Sequence, residues 1–193
     1  VEFDTTEADR GDRDTIMLGS GNDTAIGGVA SDDIRATGGN NILIGDNARI
    51  LADTSGRLQS VTSKDPLISG ADFMLSGAGH DLIIGGSGGD TISDSGGRNI
   101  VAGDNAAATF DTTRQLRTLS STEATHGGLD SITTNGGDDI IVAGLAGDTI
   151  SAGNGNNIVL GDHGTITLDA NGLPVSVTTT HASTGGNDTI AIG

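Results

Sequence analysis

The feature that most constrains this chain is a repeat inside a repeat. Asp14, Asp72, Asp130 and Asp188 recur every 58 residues. Asp23, Asp81 and Asp139 keep one offset within that period, and Asp32, Asp90 and Asp148 keep a second. Asn41, Asn99 and Asn157 keep a third, and Asp46, Asp104 and Asp162 a fourth. Inside a block the first four marks lie nine residues apart: Asp14, Asp23, Asp32, Asn41. Nested periodicity of this kind implies a solenoid, in which each unit packs only on its neighbours. The expected organisation is one continuous solenoid over residues 1–193, with blocks 14–71, 72–129 and 130–187 and partial units 1–13 and 188–193. The pattern begins and ends in mid-block, which reads as a piece of a longer protein. The repeated residue is an acid set among glycines, a chemistry for hard cations.

Composition sharpens the point. The formal charge is −17, only 34% of residues are hydrophobic, and there are 33 glycines and no cysteine. So little apolar surface and so much like charge places a chain near the disordered class. Yet the aliphatic residues are regularly spaced, so the expected resolution is a chain that folds on bound cations. The acidity excludes nucleic acid as a partner, because phosphates repel it. No apolar run approaches the roughly 20 residues a membrane span needs. Absence of cysteine fits either redox compartment.

Aligned on the acid, Gly85-Gly86-Ser87-Gly88-Gly89-Asp90-Thr91-Ile92-Ser93 reads G-G-x-G-x-D-x-U-x, with U a large aliphatic. Ser76-Gly77-Ala78-Gly79-His80-Asp81-Leu82-Ile83-Ile84 misses only the first glycine, and segments ending on Asp23, Asp139 and Asp188 are close variants. Glycine allows the tight turn before the acid. The three residues after it suit a short strand with its middle side chain inward. Those middle positions are Ile16, Ala25, Ile34, Leu43, Met74, Ile83, Ile92, Val101, Ile132, Ile141, Ile150, Val159 and Ile190. The pattern resembles the calcium-binding repeats-in-toxin (RTX) nonapeptides of secreted bacterial proteins, over nearly the whole chain.

The resemblance implies an all-β, right-handed parallel β-roll in which two nonapeptides make one coil and Ca²⁺ sits between turns. Six to eight oxygens suit that ion. The ligands it implies are the carboxylates of Asp14, Asp23, Asp32, Asp72, Asp81, Asp90, Asp130, Asp139, Asp148 and Asp188. With them go the turn glycines Gly19, Gly21, Gly28, Gly77, Gly79, Gly86, Gly88, Gly137, Gly144 and Gly186. The competing reading, a solvated acidic turn, would leave aspartates stacked at ~5 Å to repel one another. Asn41, Asn99 and Asn157 hold the same position uncharged, as weaker sites or, preferably, an amide ladder without an ion.

Each block divides into two eighteen-residue coils and a remainder of twenty-two residues, a departure from uniform arrays. Thr165–Asp169 and Val175–Thr179 read as alternating strands around an Asn-Gly turn. The remainder forms either a longer coil, giving about ten coils in all, or a hairpin leaving the roll. The coil is preferred, since Ile50, Leu58, Val61, Phe110, Leu116, Leu119, Leu168 and Val177 are enough for one buried face and too few for a separate core. Asp46, Asp104 and Asp162 are further expected ligands, against the alternative of strand-end Asx turns. Asp33, Asp53, Asp94, Asp111, Asp138 and Asp169 read as surface acids, although Asp53, Asp111 and Asp169 share a block position, which leaves a role at the hairpin strand end open. His80, His126, His163 and His181 fall at four different block positions and read as surface or turn residues. No catalytic motif links a nucleophile to a base, so no enzyme is expected. Apolar residues beside the turns, such as Leu82 and Ile140, interrupt any flat threonine array and point to a covered or sticky face.

The expected function is a Ca²⁺-folded structural module, stalk or spacer, of a large bacterial adhesin or matrix protein. By resemblance it leaves the cell unfolded through a type I channel and folds outside. The alternatives are an accessory module of a secreted protease, lipase or epimerase, or a repeat region that binds glycan or ice. The expected partners are Ca²⁺ ions, neighbouring repeats and a possible cell-surface or glycan ligand, with the chain itself a monomer.

Overall fold

A computed structural model describes residues 1–193, and every regular element in it is a strand. β1 (Glu2–Asp4) precedes the first block. That block supplies β2 (Thr15–Met17), β3 (Thr24–Ile26), β4 (Asp33–Arg35), β5 (Ile42–Ile44) and the longer β6 (Ala48–Ala52) and β7 (Leu58–Ser63). The second block repeats the series as β8 (Phe73–Ala78), β9 (Leu82–Ile84), β10 (Thr91–Gly96), β11 (Ile100–Ala102), β12 (Ala106–Phe110) and β13 (Leu116–Ser121). The third gives β14 (Ser131–Gly136), β15 (Ile140–Gly144), β16 (Thr149–Asn154), β17 (Ile158–Asp162), β18 (Gly164–Leu168) and β19 (Pro174–Thr179), and β20 (Thr189–Ile192) follows.

Nonapeptide strands alternate between two parallel sheets. One runs β2-β4-β8-β10-β14-β16-β20 and the other β3-β5-β9-β11-β15-β17. The middle aliphatic of each strand stacks on its counterpart in the next coil: Ile34 on Met74, Met74 on Ile92, Ile92 on Ile132. These residues fill the space between the sheets, where Ile34, Leu43, Met74, Ile83, Val101, Ile132 and Ile141 are wholly buried. The inward register expected from the sequence is therefore correct. Only the end members depart from it: Ile16 and Val159 are half-buried, and Ile190 is exposed because β20 has a neighbour on one side alone.

The twenty-two-residue remainder is a hairpin, which corrects the preferred longer coil. β6 and β7, β12 and β13, and β18 and β19 each pair antiparallel. Because each excursion closes on itself, the roll has six strands in one sheet and seven in the other, fewer coils than the ten expected. Nor do the hairpins project as free arms. β7 pairs with β12, β13 with β18, and β1 with β6, so they form a third, seven-stranded antiparallel sheet.

That sheet covers the outer face of the β3–β17 sheet. The strands beneath are apolar on both faces: Ile44, Leu82, Ile84, Ala102, Ile140 and Val142 point out from the roll. They pack with Ile50, Val61, Ala108, Leu116, Leu119, Ile166 and Leu168 of the hairpins into a second core. Left uncovered, such a face would be a large exposed apolar patch. Among the apolar residues expected on the buried face, Val177 alone is clearly exposed, at 46%, because β19 is the sheet's open edge.

Candidate metal centre: two stacked carboxylate ladders

The short nonapeptide turn places each motif acid just before a strand, so stacking the strands also stacks the acids. Along the first edge, the backbone N–H of Asp14 donates to Oδ1 of Asp32. The same bond joins Asp32 to Asp72, Asp72 to Asp90, Asp90 to Asp130, Asp130 to Asp148 and Asp148 to Asp188, at 2.6–2.9 Å. Seven aspartates thus form one unbroken ladder that passes straight across the hairpin insertions. The second edge carries an equivalent ladder of Asp23, Asn41, Asp81, Asn99, Asp139 and Asn157 at 2.7–3.0 Å. Here Asn alternates with Asp, so no amide stacks on an amide, and the expected separate Asn ladder is replaced by a mixed one.

Using Oδ1 as a backbone acceptor leaves Oδ2 unanswered. Oδ2 of Asp32, Asp72, Asp90, Asp130 and Asp148 on the first edge, and of Asp81 and Asp139 on the second, is buried without a hydrogen-bond partner. On the first edge these oxygens meet a row of glycines. A methyl added at Gly85 would overlap Oδ2 of Asp90 and the carbonyl oxygen of Gly103. Gly45 stands in the same relation to Asp72 and the Gly85 carbonyl, and Gly27 to Asp32 and the Gly45 carbonyl. Carboxylate and carbonyl oxygens of adjacent coils therefore border one small space, lined by glycine at Gly27, Gly45 and Gly85 and by Ala143 at the matching place of the third block. Gly27, Gly45, Gly85, Gly103 and Gly161 were not among the expected site residues, although the same block positions carry glycine in two or three blocks.

Electrostatics agrees with an unmet demand for positive charge. Loss of hydration, reinforced by neighbouring carboxylates, raises Asp72 and Asp148 to about 7, Asp90 to about 9 and Asp130 to about 10. No arginine or lysine pairs with any of them. No three Asp, Glu or His side chains gather into a compact cluster. A cation on this edge would therefore be held by carboxylates together with backbone carbonyls, an all-oxygen set that suits Ca²⁺.

Asp46, Asp104 and Asp162 answer a different need. Oδ1 of each accepts the N–H of a glycine where the chain returns from its hairpin: Gly70 at 3.0 Å, Gly128 at 2.9 Å and Gly186 at 2.9 Å. Oδ2 of Asp46 accepts from Ser87 at 2.7 Å, and Oδ2 of Asp104 from Leu145. These acids pin each hairpin's return to the next coil. Burial, with Asp72 adding to it at Asp46, still holds Asp46 and Asp104 at about 8.

The turn glycines divide by edge. Gly28, Gly86 and Gly144 take positive φ on the first edge, and Gly86 and Gly144 lie against the Asp46 and Asp104 carboxylates. Gly88, at φ +123°, sits against the Gly70 carbonyl, and Gly186 against that of Ala146. On the second edge, Gly137 at φ +125° sits against the Gly97 carbonyl, Gly79 against Gly39, and Gly77 against the Thr37 backbone. A methyl at Gly21 would face its own Asp23 carboxylate, while the Gly21 carbonyl lies against Gly39, and Gly19 has open space beside it.

Two expectations for polar residues, Asp94 and His163, need correction, and one left open, for Asp53, Asp111 and Asp169, is answered. Asp94 is fully buried, because its strand position stacks on Ser76 inside the roll. His163 is also fully buried, with Nε2 3.1 Å from the Ala124 carbonyl and its ring edge-on to His181. Asp53, Asp111 and Asp169 hold the hairpin turns together. Oδ1 of each accepts two backbone N–H groups of its own turn; the Thr113 hydroxyl first of all at Asp111, and the backbone N–H groups at Asp53 and Asp169, lower the acid's pKa.

Parallel coils with a buried aliphatic stack and glycine-lined carboxylate ladders define a β-solenoid with an all-oxygen edge suited to hard cations. The pattern of the RTX calcium-binding nonapeptide repeat matches residues 10–43, 75–107, 126–149 and 133–165, more than half of the chain. The chain belongs to this family of calcium-binding repeats. No curated protein and no solved structure matches it.

Proposed function

We propose that this chain is a Ca²⁺-folded spacer in a large bacterial adhesin or matrix protein that acts outside the cell. The reading rests above all on the unbroken first ladder, whose buried Oδ2 atoms have no donor and no cationic side chain. Ca²⁺ would supply the missing charge between coils, with Asp32, Asp72, Asp90, Asp130 and Asp148 as ligands and glycine carbonyls completing the shell. In a low-Ca²⁺ cytoplasm the carboxylates repel one another, and a chain with so little apolar surface stays open. Outside, Ca²⁺ binds only the folded form and draws the chain into the roll. Blocks that join through continuous ladders and a continuous third sheet suit a load-bearing rod, because each adds length without a new interface type.

The test is far-UV circular dichroism of the 193-residue chain, with calorimetry of ion binding. A disordered spectrum without Ca²⁺, conversion to β-structure with it, and several ions bound per chain are expected. Mg²⁺ should convert the chain poorly, since it holds its waters and demands tight octahedral geometry. A stable β-spectrum at neutral pH in chelator would overturn the reading.

A further inference from the structure

The middle block breaks the repeat at the tip of its hairpin. Arg114 adopts φ +66°, in the left-handed region that a residue with a Cβ disfavours. The matching residues are Gly56 and Gly172, at φ +75° and +77°. Glycine suits this turn without strain, so the arginine is held there at a conformational cost. Two further departures stand on the second edge of the roll. Arg98 takes the place of Asn40 and Asn156, and His80 the place of Asn22 and Asp138.

These three side chains line one open cleft of about 330 Å³ between the hairpin tip and the roll. Gln115 stands beside them, and Ile100, Leu116 and Ile140 give the cleft an aliphatic floor. No acid lines it, in a chain where 26 acids face 9 lysines and arginines. Neither Arg98 nor Arg114 forms an ion pair. Each gives one N–H to a neighbouring hairpin, Arg98 to the Gly172 carbonyl at 3.2 Å and Arg114 to that of Gly56 at 3.3 Å. A guanidinium carries five N–H donors, so most of each stays free. Nδ1 of His80 accepts the Arg98 N–H at 2.9 Å, which leaves the ring proton on Nε2 as a donor. The corresponding cleft of the first block offers Asn22 and Asn40 instead, has Arg114 as its only cation and includes the acid Asp23.

We propose that this cleft binds an acidic sugar, a uronic-acid unit of a polysaccharide, through its carboxylate. The planar guanidiniums of Arg98 and Arg114 suit a carboxylate in charge and in shape. The aliphatic floor suits the C–H face of one sugar ring, and Gln115 and His80 supply hydrogen bonds for its hydroxyls. The chain's overall negative charge repels a polyanion from a distance, so capture depends on this local reversal of sign. The inference goes beyond the spacer reading, since a rod bearing such a cleft holds a polysaccharide as well as spanning a distance.

The test is a titration of the isotope-labelled 193-residue chain at saturating Ca²⁺, with amide shifts followed by NMR. The probes are methyl glucuronide, the neutral methyl glucoside and sodium sulfate. Saturable shifts around His80, Arg98 and Arg114 are expected with the glucuronide and none with the glucoside. Arg98→Asn and Arg114→Gly restore the residues of the other two blocks, so both should fold, and each should weaken binding by about tenfold or more. Arg114→Gly should also unfold at the same or a higher temperature, because glycine relieves the left-handed turn. No shifts with the glucuronide, an equal response to the glucoside, or unchanged binding in both variants would overturn the site. Sulfate binding as tightly as the glucuronide would overturn the sugar assignment. Earlier unfolding of Arg114→Gly would mean that this arginine serves to tie the hairpins together, which overturns its role as a ligand. All of these outcomes leave Ca²⁺-dependent folding as a separate measurement.

Discussion

At the scale of residues, the decisive fact is what each aspartate does with its two oxygens. Oδ1 closes the turn of the preceding coil and, in the buried members, Oδ2 is left without a partner, so one side chain both builds the stack and charges it. Without Ca²⁺ the folded chain holds its protons more tightly than the open chain, since the ladder acids titrate at about 7 to about 10. An open-chain aspartate titrates at about 3.9. Raised folded values mean stability that is fully present below the open-chain value and lost as pH rises through the folded ones. The Ca²⁺-free chain should therefore be most stable near pH 4 and lose stability progressively as pH rises from there through about 10. Urea midpoints measured in Ca²⁺-stripped buffer across that range check the sign, and a midpoint that climbs with pH would refute it. The ladder acids were legible in the sequence because they repeat. Asp94 was not, since a lone acid where the other blocks carry Ala36 and Ala152 looks like surface variation until the coils are stacked.

Among the elements, the hairpins show how a departure from a repeat is absorbed. The two antiparallel strands of each insertion return the chain to its exit point, so Ile34 still stacks on Met74 although the sequence between them includes a whole hairpin. The sequence carried a signal for this arrangement. Strands after Asp14, Asp90 or Asp148 read Thr-Ile-Met or Thr-Ile-Ser, with one inward aliphatic, whereas those after Asn41, Asp81 or Asp139 read Ile-Leu-Ile, Leu-Ile-Ile or Ile-Ile-Val. The second pattern is apolar on both faces and demands a cover, and the alternating hairpin strands are that cover. The outward aliphatics pointed to a covered face, but periodicity alone could not name its partner. Leu119, 0% exposed at the centre of this second core, should cost about 2–5 kcal/mol when cut to alanine, read as a shift in thermal or urea unfolding of the Ca²⁺-loaded chain. Excising residues 106–121 with a short turn in their place should expose Leu82, Ile84 and Ile140 and produce dye binding or aggregation. A silent excision would mean that the hairpins are free arms.

For the molecule as a whole, stacking makes stability nearly one-dimensional. Each coil is tied to the next by one rung of each ladder and by strand pairs, so a fault should weaken its neighbours and fade along the rod. Position along the stack should then decide what a lost ligand does. Asp90 lies in the middle of the first ladder, giving its N–H to Asp130 and taking that of Asp72, and it is 1% exposed. Asp188 ends the ladder, receiving only the N–H of Asp148. Asp90→Ala removes Oδ2 from the space bounded by Gly85 and the Gly103 carbonyl, and with Oδ1 it removes the acceptor of the Asp72 N–H. Asp188→Ala disturbs one end turn. Hydrogen exchange of the Ca²⁺-loaded chain should show protection lost on both sides of the Asp90 substitution, through β8, β10 and β14, with a weaker and less cooperative Ca²⁺ transition. The Asp188 variant should lose protection only in β16 and β20 and keep most of the transition. Equal losses from both would mean that the coils fold as one all-or-none body. Losses confined to the mutated turn would mean that the hairpin sheet, rather than the carboxylate ladder, carries the coupling between blocks.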